Sequence, residues 1–113
     1  MVPGVTRGLL AQVARGCRVR GRALPRARYV WDERRRWAFD AAWPEQRVAL
    51  VLDGSVRLGR QEPRGAGWIR DARHLNEAAI QGWRVLRLTP AQIEDGTVFE
   101  LVARVLATPW WRA

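Results

Sequence analysis

The chain contains no lysine, and all twenty of its basic residues are arginine. Against eleven carboxylates this leaves a formal net charge of +9 at pH 7. An arginine-only polycation points to a polyanionic partner, because the planar guanidinium makes bidentate contacts to phosphate. The alternative is an arginine-heavy solvated surface from a GC-rich or thermophilic source. The one cysteine, Cys17, excludes an internal disulfide and a cysteine-based zinc site. The one histidine, His74, lies beside Arg73 and reads as a phosphate or surface contact rather than a catalytic base. No run is long and apolar enough to span a bilayer, and the amino terminus lacks a signal-peptide pattern, so no membrane partner and a cytosolic setting are expected. There is no internal repeat and no low-complexity tract. At 113 residues the expectation is one domain, 1–113, with a real core.

The organising stretch is Arg34 to Gly54, RRRWAFDAAWPEQRVALVLDG. Trp37, Phe39 and Ala41 alternate with Ala38, Asp40 and Ala42, the period-2 pattern of a strand with two different faces. Trp43-Pro44-Glu45 breaks that strand, since proline cannot donate to a ladder and restricts the residue before it. Val48 to Leu52 is a continuous apolar run, as expected for a strand buried on both faces, and it ends in the turn signal Asp53-Gly54. Asp40 and Asp53 are thus carried on adjacent apolar strands. A carboxylate in such a place is costly unless it is paired, hydrogen-bonded or bound to a metal.

Val5 to Arg15 predicts a helix with Leu9, Leu10 and Val13 on one face and Gly16 as its stop. Arg15 to Arg28 holds six arginines among Gly and Pro and reads as a loop able to lie along a phosphate backbone, or as a solvated basic loop. In that loop Cys17 has the setting of a thiol with a lowered pKa, without a neighbouring acid or histidine to make it a nucleophile. Tyr29-Val30-Trp31 predicts a short strand, and Asp32-Glu33-Arg34 a hairpin turn. Ser55 to Gly67 predicts a long loop placed to move over a ligand. Trp68 to Gly82 predicts a helix with Trp68, Ala72, Leu75 and Ala79 as its apolar stripe, and Arg70, Arg73, His74, Glu77 and Gln81 mostly outside it. Trp83 to Leu88 predicts a strand. Thr89-Pro90 opens a helix with Thr as cap, interrupted at Asp95-Gly96 and continued from Thr97 to Ala107. The adjacent Trp110 and Trp111 need a surface to cover them, in this domain or a second subunit. The seven tryptophans are mostly core or interface, with base stacking the minor reading. The fold class expected is α/β, with a small mixed central sheet flanked by helices.

The order αβββαβ, with one acid on the second strand and another on the third, resembles the PD-(D/E)XK restriction-endonuclease-like fold. YVWDERRRWAFDAAWPE, RGAGWIRDARHLNEAA and GWRVLRLTP are similar to small phage-type endonuclease domains related to very-short-patch-repair-like nucleases and to Holliday-junction resolvases. The resemblance spans about Leu24 to Pro90. It implies that Asp40 and an acid of the third strand bind Mg²⁺ or Mn²⁺, which polarises the phosphate and activates the attacking water. Asp40 matches the first acid. On the third strand Val51 stands where a glutamate is usual, and Asp53 is the acid present. Gln12 stands where relatives carry a helical glutamate, Glu62 where a loop histidine is frequent, and the classical lysine is absent. Arg64, Gly65, Gly67, Asp71 and Asn76 follow the phage-like pattern.

The resemblance therefore implies a metal-dependent, structure-specific endonuclease of the junction-resolvase type, with Asp40, Asp53 and Glu62 as catalytic candidates and Asp40 and Asp53 as metal ligands. Arg34, Arg35, Arg57, Arg60, Arg64, Arg70, Arg73 and His74 are the candidate DNA contacts. Cutting a four-way junction takes two active sites, which implies a homodimer on branched DNA in a bacterial or phage-infected cytosol. Nicking of mismatched or simple duplex DNA is a further enzymatic option. Two readings stand beside these: a nuclease-fold DNA-binding module whose catalysis is weakened or lost, and purely structural roles for Asp40 and Asp53.

Overall fold

The structure is a computed structural model that describes residues 3–52 and 66–109. Helix α1 spans Pro3–Val19. Strands β1 (Arg26–Asp32), β2 (Trp37–Trp43) and β3 (Val48–Leu52) follow. Then come α2 (Ala66–Ile80), β4 (Arg84–Leu88), a short α3 (Pro90–Glu94) and α4 (Thr97–Ala107). The four strands form one mixed sheet in the order β1-β2-β3-β4, antiparallel through β3 and parallel between β3 and β4. This is an α/β architecture with a small sheet covered by helices on both faces. Among the described residues no helix is long and apolar enough to cross a membrane.

Two apolar clusters fill the two faces. Leu9, Val13 and Cys17, one turn apart on α1, join Ala41, Trp43, Val48, Leu50, Leu52 and Leu88 from the sheet and Ile93, Val98 and Val102 from α3 and α4. On the other face Phe39, Ala42, Ala49 and Trp83 meet Ala78 of α2, with Tyr29, Trp31, Val51 and Val85 packed around them. β3 contributes to both clusters, as its unbroken apolar run predicts.

The turns explain the element boundaries. Asp32 Oδ1 accepts the Arg35 N–H at 3.1 Å and closes the β1–β2 hairpin. Pro44 opens a single 3₁₀ turn, and Arg47, at φ +55°, redirects the chain into β3. Both α1 and α2 end in the same motif. Gly21 and Gly82, at φ +69° and +87°, let Arg22 and Trp83 donate back to Cys17 O and Ala78 O at 2.8 and 2.9 Å. Thr89 and Gln92 form a full capping box at the start of α3.

Three expectations are corrected. First, α1 runs to Val19, and Gly16 is not its stop. The glycine is needed there because the Phe99 ring of α4 lies where a Cβ would be. The arginine segment after Arg15 is accordingly part helix and part strand, with only a short connection between, and β1 begins at Arg26 rather than Tyr29. Second, Ala72 and Ala79, expected in the apolar stripe of α2, do not face the sheet: both are exposed, and Ala78 is the fully buried residue. Third, β2 does not alternate strictly. Phe39 and Ala42 share one cluster while Ala41 and Trp43 share the other, so the alternation breaks between Phe39 and Ala41, at Asp40. Of the expected loop Ser55–Gly67, residues 55–65 lie outside the described residues, and Ala66 and Gly67 already belong to α2; the Trp110-Trp111 tail also lies outside the described residues.

Gly16→Ala should destabilise the protein by about 1–2 kcal/mol, an overpacking cost of about 1–3 kcal/mol offset in part by the better helix propensity of alanine. Gly8→Ala, in the same helix with open space around it, should instead stabilise by up to about 1 kcal/mol. Urea midpoints of the two variants moving the same way would show that Phe99 does not seat on Gly16.

Candidate functional site

Asp40 is half-buried on β2. The recorded β2–β3 pairing ends at Ala41↔Leu50, and the next ladder donor, Leu52 N–H, is taken by the Asp40 carboxylate, Oδ2 accepting at 2.8 Å. The side chain thus stands in for a backbone carbonyl at the carboxyl end of β3. That end is also the carboxyl edge of the parallel β3/β4 pair, where open α/β sheets place their ligand sites. The residue after Leu52 in the chain is Asp53.

Asp53 and Glu62 lie outside the described residues, as do Arg57, Arg60 and Arg64. Among the described residues there is no group of three His, Cys, Asp or Glu side chains that could hold a metal ion. Asp40 alone is an oxygen donor of the kind Mg²⁺ prefers. Val51 packs with Phe39, Ala49 and Trp83 on the α2 side and sits level with Arg87 of β4; it provides no ligand. Gln12, on α1, is a neutral amide in a half-buried position.

The cationic candidates gather where the hairpin meets α2. Arg35 is held by Asp32 at 3.0 Å, approaches Glu77 at 3.9 Å, and lies over the Trp37 ring at 4.8 Å. Arg73 is exposed and lines an open groove of about 630 Å³ with Arg35, Trp37, Asn76, Glu77 and Ile80. Arg34 is exposed in the adjoining groove with Trp31, Asp32 and Glu33. Three carboxylates therefore share this surface, and Arg35 is partly neutralised by two of them. Arg70 falls within α2.

His74 is not on a solvated polar face. It is half-buried and stacks against Trp31, Trp37 and Phe39 with ring centroids 4.9–5.9 Å apart. Trp31 Nε1–H donates to His74 Nε2 at 2.7 Å. The indole N–H can only donate, so His74 Nε2 is the acceptor of this bond. His74 and Ala78, four residues apart, mark the sheet-facing side of α2. Sequence reasoning missed it because an isolated histidine next to an arginine has the local pattern of a surface residue.

Cys17 is fully buried in the α1-side cluster. Burial pushes its thiol up from the ordinary 9.0, and the charges of Arg22 and Arg20 only partly oppose this. The expectation of a lowered pKa in a basic loop is thereby reversed, and a reactive thiolate is excluded.

No family model, curated protein or solved structure matches the chain.

His74→Ala should cost about 2–3 kcal/mol, from a stranded Trp31 donor and lost ring stacking, and should shift tryptophan emission. A fully solvated His74 would leave stability and emission unchanged. Cys17 should resist thiol reagents in the native protein and react once the chain is unfolded. Because its folded pKa is raised, its contribution to stability is complete below the unfolded value near 9.0 and is lost as pH rises through the folded value. A pH series of unfolding midpoints, wild type against Cys17→Ala, reads this directly.

Proposed function

We propose that the chain is a DNA-binding, metal-dependent endonuclease with a PD-(D/E)XK-like core, acting on branched DNA in the manner of a junction resolvase. The observation that carries this reading is the position of Asp40: a carboxylate at the carboxyl edge of the sheet, fixed by Leu52 N–H one residue before Asp53. The observed element order α-β-β-β-α-β is the order that the resemblance implies, and the arginine-rich composition suits a phosphate backbone. Asp40 and Asp53, with Glu62 as a third oxygen donor, would hold Mg²⁺ or Mn²⁺. When bound, the metal supplies Lewis-acid activation of phosphate and water. Arg34 and Arg73 would engage phosphates beside the edge, and Arg35 would orient the hairpin through Asp32 and Glu77. Two such sites related by a dimer axis would act on the two strands of a junction.

A second reading is favoured by Val51. It packs against an apolar and aromatic cluster, and the described residue level with it on β4 is Arg87, a cation rather than a metal ligand. In this reading the domain binds DNA and catalysis is weakened or lost.

Asp40→Asn separates the two. Asparagine keeps an acceptor oxygen for Leu52 N–H, so the fold should stay within about 1 kcal/mol of wild type. Asp40→Ala strands that donor and should cost about 1–3 kcal/mol. For a nuclease, metal-dependent cutting of labelled four-way junctions falls at least about 100-fold in Asp40→Asn while binding persists. Tight binding by wild type with no cutting in Mg²⁺ or Mn²⁺ establishes the binding module instead.

A further inference from the structure

The first thirty-one residues contain seven arginines and no carboxylate; the first acid of the chain is Asp32. Folding does not scatter this charge. Arg7, Arg15, Arg18, Arg22 and Arg28 are all exposed on α1, the connection after it, and β1. Arg26 pairs with Glu45 at 3.3 Å, and Arg20 lies over Phe99 at 4.0 Å, so those two have structural partners. Arg7 and Arg28 have no ion-pair partner among the described residues. They line one open groove of about 460 Å³ whose floor is Leu10, Ala11, Ala14 and Ala27, with no acid in its lining.

Arg28 is held there at a conformational cost. Its φ is +51° inside β1, a left-handed conformation that a non-glycine residue rarely adopts in a strand. Strain of this kind persists because the surrounding structure over-determines it, and here it leaves the Arg28 side chain exposed at the groove. The groove lies on the α1 side of the sheet, whereas Arg35 and Arg73 lie on the α2 side. The molecule thus presents arginines on opposite faces: the groove between α1 and β1 has no acid in its lining, whereas three carboxylates share the hairpin–α2 surface.

We propose that the α1–β1 groove, clamped by Arg7 and Arg28, binds the phosphate backbone of a second DNA duplex segment. Arg15, Arg18 and Arg22 continue the track along which that backbone runs. Together with the hairpin–α2 surface, the groove lets one protomer hold two arms of a branched DNA. This rests on the reading of the protein as a DNA-binding domain selective for branched DNA, and not on its cutting activity. Charge complementarity decides the class of partner: an apolar-floored groove with two guanidiniums and no acid matches the sugar-phosphate strand of a polyanion.

The test is binding to a labelled four-way junction and to a linear duplex of equal length, by fluorescence anisotropy over a salt series without metal. Wild type is compared with Arg7→Glu/Arg28→Glu and with Arg28→Gly. Wild type should prefer the junction. The double variant should lose at least about tenfold on the junction, with a salt slope about two units shallower, yet stay within about threefold of wild type on the linear duplex, which the α2-side surface still holds. Arg28→Gly removes the side chain while suiting the positive φ; it should weaken junction binding without lowering the melting temperature. Unchanged binding by both variants overturns the proposal. Equal loss on both DNAs also overturns it, because the groove would then be the single DNA surface rather than a second one. A wild type that prefers neither DNA overturns it through the branched-DNA reading itself. Cutting by wild type is scored separately with Mg²⁺, so loss of the nuclease reading leaves these outcomes legible.

Discussion

β3 is hydrogen-bonded on both edges and covered by apolar side chains on both faces. A strand in that position can carry no polar side chain without a partner, which is why the run is Val-Ala-Leu-Val-Leu. Its two ends must still be satisfied. At the entry, Arg47 turns through a left-handed conformation and its carbonyl accepts Arg84 N–H at 2.8 Å, which sets the register with β4. At the exit, Asp40 takes Leu52 N–H. The same constraint accounts for Val51. A glutamate there would enter the packing around Phe39, Ala49 and Trp83, and an unpaired carboxylate in that setting costs several kcal/mol, of the order that forces protonation instead. A bound cation, or the guanidinium of Arg87 level with it on β4, would make it tolerable.

The arginines do two kinds of work. Arg20 lies over Phe99, Arg35 over Trp37 and Arg47 over Trp83, contacts that a guanidinium makes well because it is planar and weakly hydrated. Arg84 donates to the carbonyls of Thr108 and Gln46 and ties the end of α4 to the turn before β3. These side chains belong to the fold, and their charge is no measure of affinity for a polyanion. Among the described residues, those open to a partner include the arginines of α1, β1 and the hairpin–α2 surface; the groove between α1 and β1 has no acid in its lining, whereas acids are interspersed on the hairpin–α2 surface.

Much of the architecture was legible because its signals are local. The unbroken apolar run fixed β3, Thr89-Pro90 the start of α3, Gly82 the end of α2, and Trp43-Pro44 the end of β2. What escaped depends on contacts between distant segments. Gly16 reads as a stop until Phe99, eighty-three residues later in the numbering, is known to pack on it. His74 reads as a surface residue until Trp31 is brought alongside to donate to it. For the candidate site, Asp40 was identifiable as a carboxylate needing a partner on an apolar strand, but the backbone N–H of Leu52 that it accepts has no sequence signature.

Asp40 and Arg28 share one irregularity of the sheet. Both fall between the register pairs Ala27↔Ala41 and Tyr29↔Phe39. At this level Arg28 turns left-handed and β2 loses its alternation. No residue is inserted here, since the register runs unchanged from Ala27↔Ala41 to Tyr29↔Phe39 and shifts only between Val30 and Asp32; the left-handed residue itself turns the strand and re-aims its side chains. Here the result is a carboxylate directed at the β3 exit and a guanidinium exposed on the α1 side. A regular ladder would have kept Phe39 with Ala41 and Trp43, filling one face and leaving the other without its central aromatic ring. The break supplies Phe39 to the α2-side cluster, and with it the ring against which His74 stacks. One local departure from strand geometry therefore couples the packing of α2, the anchoring of Asp40 and the placement of Arg28, and a change that regularised it would disturb all three together.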